Sequence, residues 1–507
     1  MSRIRGRATG AASAGVCARG DRQNVMQRLN LGEDRDLAIA RTTAIVRQAW
    51  SEFDRGRDDE PDTNPGMRAL LAAPLPETPT PVSATLDEAA SILDHSLAQS
   101  RPRFLAYIGS SGLEVGAIAD FLAASYDVNM AVDARAASLL ERQTSRWLAE
   151  FIGYPHGDGL FTSGGMVSNL TALAAARERA CPGVRESGLV SRMAAYCSAD
   201  GHHSVLRALE LLGLGRRSLR AIPLDAERRM RVDRLEKAIL HDQAAGIRPM
   251  AVIATAGTTL TGAVDPLRGI GEVARRHGVW MHVDAAYGGP AAGTAEAAPL
   301  FDGLALADSV TIDAHKWLFV PKACSIVLVR DPATLTATFA HHEAYMPHDG
   351  AVPNPVDATL EYSRPLRALK LWLAFRTHGA AAIRGAIADT ITLARLAYER
   401  ARATAGFRTL DTPPQLSVVP LAHVPSGVTD VDDHQRRLCS AIGRDGRALL
   451  SSAVIDGRSW LRPCFTNFRT RQSDVDTLFD VIVEQSRLLG RQSASSRIRS
   501  TNIEARS

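Results

Sequence analysis

Between about residue 116 and residue 330 the chain alternates helix-period stretches with short, β-branched apolar runs: "AAYCSA" (194–199), "MAVIATA" (250–256), "VWMHVDA" (279–285), "DSVTID" (308–313) and "CSIVLVR" (324–330). Strands separated by helices imply a mostly parallel sheet covered on both faces, with ligands meeting the carboxyl ends of its strands. Several of these runs end in polar residues: Asp200 to His203, Thr255 to Thr259, Asp284, and Asp313 to Lys316.

Outside this block the pattern changes. Residues 37–53 read as a helix with Leu37, Ile39, Ala40, Thr43, Ile45 and Val46 on an apolar side, and "APLPETPTPVS" reads as an extended connector. Thr85-x-x-Glu88 predicts a capping box for a helix carrying Leu86, Ile92 and Leu93. Residues 364–400 read as helical, and "QLSVVPLA" and "WLRPCFTNFR" as short strands of a smaller α+β domain. The expected organisation is a basic disordered extension (1–36), an N-terminal arm (37–115), a large domain (116–385), a small C-terminal domain (386–490) and a Ser/Arg-rich disordered tail (491–507).

Composition changes this picture little. At 507 residues, 45% hydrophobic and 22% charged, the chain reads as an ordinary globular protein long enough for a substantial site. Its formal charge of +4 sits in the tails, since residues 1–28 carry six Arg against one acid. The body is therefore net acidic and offers no nucleic-acid footprint. Six cysteines lie without metal-ligand spacing, which suggests reduced thiols, no metal site and a cytoplasmic protein. No apolar run is long enough for a membrane span, and the Arg-rich start lacks the apolar segment of a secretory signal. It reads as a disordered extension, with an organelle transit peptide or a start at Met26 as alternatives.

The strand-end residues carry the candidate chemistry. Lys316 closes a strand and precedes Trp317 and Leu318, so burial is expected to lower its pKa and free the amine for Schiff-base work. A surface lysine snorkelling at a strand end is the plainer alternative. Asp284 can pair with a pyridinium nitrogen, the small Ala286 letting a flat ring lie close; otherwise it is a turn or cap residue. In "FTSGGMVSNLTALAAAR", Gly164 and Gly165 open a helix whose first N–H groups suit a phosphate, without the spacing of an ATP or NAD loop. His202, in "DGHHSVLRA", can stack on a ring or merely cap its helix, and Thr258 and Thr259 lie in a strand-end loop.

Phosphate turn, stacking His, Thr pair, ring-nitrogen Asp and Schiff-base Lys follow in the order that pyridoxal phosphate needs. Through "GDGLFTSGGMVSNL", "ATAGTTLTGAVDPL", "HVDAAYGG" and "DAHKWL" the sequence resembles the group II pyridoxal-phosphate-dependent amino acid decarboxylases, over about residues 70 to 490. The resemblance implies the fold type I architecture of PLP-dependent transferases, α/β with a small C-terminal domain and an N-terminal arm, assembled as a homodimer. By position it implies that Lys316 holds the cofactor, Asp284 binds its ring nitrogen and His202 stacks on the ring. Ser110, His315 and the backbone at Gly165 and Met166 would hold the phosphate, with Thr259 beside the ring. Tyr345, in "FAHHEAYMPHD", matches the tyrosine that returns a proton to the α-carbon; phenylalanine there marks aldehyde synthases. Met166 departs from the small or hydroxyl residue common in the family, and Asp313 stands where Asn or Asp is usual. Tyr107 matches a pocket tyrosine of the aromatic decarboxylases, whereas "YDVNM" resembles the glutamate branch and Lys322 suits an acidic side chain. The implied reaction is decarboxylation of an L-amino acid, with the side chain open between aromatic and acidic. An oxidative aldehyde synthase or aminotransferase, and a non-catalytic PLP-binding relative, are the rival readings.

Overall fold

The computed structural model describes residues 29–59, 61–341 and 354–504, with side chains described as far as residue 491. The chain divides into two compact units, one formed by residues 1–52 and 61–98 and the other by 53–60 and 99–507. The first holds the helices Arg35–Phe53, Pro65–Leu71 and Val82–Asp94. Arg41 pairs with Asp87 at 2.5 Å, and Leu37 and Ile39, placed on the apolar side by sequence, are exposed. The predicted capping box is not used. Pro81, with φ fixed at −54°, ends the extended connector, and its carbonyl accepts the Thr85 N–H, so Thr85 lies inside the first turn instead of capping it.

The second unit contains a seven-stranded and a five-stranded sheet. In chain order the strands are β1 (Phe104–Leu105), β2 (Asp158–Thr162), β3 (Met193–Ser198), β4 (Leu219–Ile222), β5 (Arg248–Thr255), β6 (Trp280–Asp284), β7 (Ser309–Ile312), β8 (Ser325–Val329), β9 (Phe407–Thr409), β10 (Leu421–His423), β11 (Leu449–Ile455) and β12 (Arg458–Arg462). The large sheet has the order β2-β8-β7-β6-β5-β3-β4, parallel from β7 through β4, with β8 antiparallel to both neighbours. The five predicted strands are β3, β5, β6, β7 and β8.

Alternation along β5 shows why these runs are apolar throughout. Val252 and Ala254 pack with helices Ala136–Ile152, Val232–Ala244 and Leu267–His277 through Leu148, Leu235 and Ile270. Ala251 and Ile253 face the other side, against Leu173 of helix Gly165–Ala180 and Leu209 of helix His203–Leu211. A sheet buried on both faces leaves only its strand ends for polar chemistry.

Helix Ala368–Ala403 carries Leu371 and Ile387 in the large core and Ala397 and Tyr398 in the small one, and Gly379, at φ 76°, breaks its helical path. The small sheet runs β1-β11-β12-β10-β9, with Leu421, Leu450 and Leu461 packed on helices Val431–Asp445 and Gln472–Glu504. Two boundaries differ from expectation. β1, drawn from the segment assigned to the N-terminal arm, pairs in parallel with β11 because Phe104 and Leu105 meet Leu449 and Leu450. The last helix continues to Glu504, into the tail expected to be disordered.

Candidate active site

The parallel strands deliver their polar ends to one edge of the large sheet. β6 ends on Asp284; its neighbour β7 runs through Asp313 into the one-turn helix Ala314–Trp317, which carries His315 and Lys316. β2 leads through Gly164 into helix Gly165–Ala180, and β3 leads through Asp200 to His202.

Lys316 is held differently from the sequence expectation. Burial disfavours its ammonium, but the Asp313 carboxylate lies 2.8 Å from Nζ, and the balance raises the lysine pKa instead of lowering it. Trp317, read as the source of desolvation, points into the core, stacked on Tyr287 and donating to Thr390 Oγ1. Burial disfavours the ionised Asp313, but the Lys316 ammonium beside it outweighs burial and lowers its pKa.

Gly165 closes one wall. A Cβ there would lie 2.8 and 3.0 Å from the Asp313 oxygens and 3.2 Å from the Ala286 methyl, so no side chain fits between the helix start and β7. A Cβ on Gly164 would stand 3.9 Å from the His315 ring, whose Nδ1 lies 2.9 Å from the Cys324 carbonyl oxygen. Burial lowers the His315 pKa, so this ring is neutral at pH 7.

Asp284 is buried, its Oδ1 accepting from the Ala286 N–H at 3.2 Å and its Oδ2 from Asn169 Nδ2 at 2.8 Å. His202 caps helix His203–Leu211: Nδ1 accepts the Ser204 N–H at 3.2 Å and lies 2.8 Å from Ser204 Oγ. Capping and ring recognition, alternatives in the sequence, are compatible here, since the cap uses one ring edge and leaves the other free. Burial lowers the His202 pKa; the Asp284 charge opposes this, and the Lys316 charge adds to it.

Other predicted residues are committed locally. The Ser110 hydroxyl donates to the Val320 carbonyl at 2.9 Å, and its N–H meets Gln99 Oε1 at 3.1 Å. The Thr258 hydroxyl is buried inside its own turn, 3.0 Å from Thr261 Oγ1 and 3.2 Å from the Ala263 nitrogen, so the structure gives it to the loop and not to the site. Thr259 is half-buried, and its carbonyl accepts from Arg462 Nη1 of β12 at 2.7 Å. Met166 is half-buried at the helix start.

Lys322 lies at the mouth, 2.8 Å from the same Gln99 oxygen, its pKa lowered by burial and by the Lys316 charge. Tyr107 is 67% exposed with φ 60°, followed by Ile108 at φ 53°: two non-glycine residues in left-handed backbone, a strained loop beside Ser110. Tyr345 lies outside the described residues. Sequence reasoning did not single out Asn169, Ser204, His282 or Arg462, although the first three lie within or beside the quoted motifs.

A lysine amine, a buried carboxylate, an imidazole with a free edge and a helix N-terminus that admits no Cβ make a donor set that fits pyridoxal phosphate. Among the described residues no group of three or more His, Cys, Asp or Glu side chains could hold a metal ion, and no helix is long and apolar enough to cross a membrane.

Comparison with known proteins agrees. The pyridoxal-dependent decarboxylase conserved domain matches residues 65–419. An aromatic-L-amino-acid decarboxylase of Bacillus atrophaeus is 35% identical over 385 residues, 74% of this chain and 79% of that protein. An L-2,4-diaminobutyrate decarboxylase of Rhizobium meliloti is 33% identical over 436 residues, 84% and 86% of the two chains. The structure of Oryza sativa TDC with PLP and tryptamine superposes with a TM-score of 0.84 at 25% identity, over 90% of this chain and 98% of that one. The chain therefore belongs to the pyridoxal-dependent decarboxylase family and is a pyridoxal-phosphate-dependent amino acid carboxy-lyase of the fold type I architecture.

Proposed function

We propose that this chain converts an L-amino acid to its amine and carbon dioxide, with Lys316 as the amine that holds the cofactor and Asp284 as the partner of its ring nitrogen. The observation that carries this reading is the placement of both residues at the ends of the adjacent strands β6 and β7, beside the helix start that packs closely on Asp313 and Ala286 at Gly165. Bound pyridoxal phosphate supplies an electron sink for the pair left when the carboxylate departs.

The chain's own residues do the rest. Backbone N–H groups at Gly165 and Met166 present a partial positive charge to a phosphate. Asp284, fixed by Asn169 and the Ala286 N–H, holds a proton on the ring nitrogen, and Ala286 keeps the approach to the ring clear. His202 offers its free edge from above its cap, and neutral His315 lines the phosphate side. On its sequence match alone, Tyr345 is assigned the return of a proton to the α-carbon.

Tyr107 and Lys322 border the entrance, and their opposite chemistry leaves the substrate side chain between an aromatic and an acidic group. A second reading has one specific support: the Rhodiola rosea 4-hydroxyphenylacetaldehyde synthase structure matches with a TM-score of 0.81 at 25% identity. Ile118, Phe121, Leu122 and Tyr126, exposed along helix Glu114–Tyr126, support burial of that face in a homodimer, and the free cysteines support a reducing, cytoplasmic setting.

The test is a panel of aromatic, acidic and diamino acids given to the cofactor-loaded protein, with amine, carbon dioxide, aldehyde and peroxide all quantified. Equal amine and carbon dioxide are expected. Aldehyde with peroxide would establish the oxidative reading, and no product from any amino acid would overturn both.

A further inference from the structure

Behind Asp284 lies a run of buried polar side chains that neither the sequence motifs nor the reaction accounts for. Trp280 Nε1 is 2.8 Å from Ser309 Oγ, which is 2.8 Å from His282 Nδ1. His282 Nε2 is 3.0 Å from Asn169 Oδ1. Asn169 Nδ2 reaches both Asp284 Oδ2, at 2.8 Å, and Ser204 Oγ, at 2.9 Å, and Ser204 Oγ is 2.8 Å from His202 Nδ1. Asn169, Ser204, His282 and Ser309 are all nearly or fully buried.

The direction of every bond follows from what each group can do. A carboxylate only accepts, so the Asn169 amide must turn its NH2 toward Asp284, which leaves Oδ1 facing His282. An amide oxygen cannot donate, so His282 Nε2 carries the hydrogen and Nδ1 is bare. Indole N–H only donates, so Ser309 accepts from Trp280 and gives its single hydrogen to His282 Nδ1. Ser204 likewise accepts from Asn169 and gives its hydrogen to His202 Nδ1. His202 therefore keeps its hydrogen on Nε2, the edge left free by the cap.

We propose that Asn169, locked by His282, Ser309 and Trp280, is a positioning residue that orients Asp284 and at the same time fixes His202 as the Nε2–H tautomer. The proposal rests on the assignment of Asp284 and His202 to the cofactor ring, and it adds a constraint on His202: its free edge donates a hydrogen bond to an oxygen of the ligand and cannot take up a proton. His282 serves this lock only while neutral, and burial among these groups pushes its pKa down to about 4. The charged or titratable groups that act on the two rings are Asp284 on His282, and Asp284, Lys316, Asp313 and His203 on His202.

Nitrogen NMR of the cofactor-free protein labelled with 15N-histidine tests this without reference to turnover, so its failure and a failure of the decarboxylase reading are separable. Directly bonded hydrogen is expected on Nε2 and not on Nδ1 of both rings, with His282 neutral from pH 5.5 to 8. Hydrogen on Nδ1 of either ring, or a His282 that titrates in that range, overturns the proposal. Asn169→Asp is nearly the same shape but removes the amide donors and replaces the neutral oxygen beside His282 Nε2 with a negatively charged one. It should raise the His282 midpoint by at least about one pH unit and speed cofactor dissociation at least about tenfold. An unchanged midpoint and dissociation rate would overturn it equally.

Discussion

The cofactor side of the site and its mouth are built by opposite rules. On the first, Asp284, Asn169, His282 and Ser309 are buried on or against parallel strands, and each has its hydrogen bonds fixed by neighbours that allow one arrangement. At the mouth, Tyr107 is exposed on a strained loop and Lys322 is tied through one glutamine oxygen. Chemistry common to a family needs a ring held in one place, and rigid strand ends supply it. Selection among side chains can change with a few loop residues, as the names of the relatives, aromatic-L-amino-acid and L-2,4-diaminobutyrate decarboxylase, illustrate.

If the contrast is right, variants on the two sides should fail in different ways. Lys316→Ala removes the amine itself and should lower kcat by about four orders of magnitude or more; measurable turnover close to wild type would break the comparison at its centre. Asp284→Asn keeps the shape but loses the carboxylate and should cost about 10²-fold in kcat, with faster cofactor loss in a dialysis assay. Tyr107→Ala and Lys322→Ala should instead alter the ratio of kcat/KM between aromatic and acidic substrates by about tenfold while cofactor retention stays at the wild-type value.

Asp313→Asn sharpens the contrast on the buried side. The carboxylate stabilises the Lys316 ammonium, so its loss in the cofactor-free protein should lower the pH at which Lys316 becomes half-reactive toward reductive methylation by about one unit, read by peptide mass spectrometry against the surface residue Lys237. The smallest effect is expected far from both regions. His423 of β10 is buried against Phe407, its pKa lowered to about 4. The unfolded chain binds a proton there between about pH 6.5 and 4 and the folded chain does not, so stability falls as pH drops through that window. His423→Phe should flatten the acid limb of a denaturation series by up to about 1.4 kcal/mol per pH unit, with no change in substrate preference.

Much of the large sheet was legible because β3 and β5 to β8 are short runs rich in apolar or β-branched residues, set between helix-period stretches. β2, "DGLFT", and β4, "LRAI", mix Asp, Gly and Arg into runs no longer than β8, so they do not stand out, and they are strands because a neighbour pairs with them. Lys316 and Asp284 were legible as polar residues closing apolar runs. Asn169 was not, for its partners Ser204, His282 and Asp284 lie 35, 113 and 115 residues further along the chain. The sign of the Lys316 shift was misread because Trp317 suggested a dry amine, whereas the carboxylate three residues earlier decides the balance.

The pairing of β1 with β11 bears on how the protein comes to be made. Arg103 donates to the Arg447 carbonyl across 344 residues of chain, and Phe104 and Leu105 find their partners only when Leu449 and Leu450 exist. During synthesis the large sheet can close first, while the segment ahead of it waits with an unpaired strand until β11 and β12 have been made. A C-terminal fragment produced by itself would lack its edge strand and expose the apolar face that Leu105 covers.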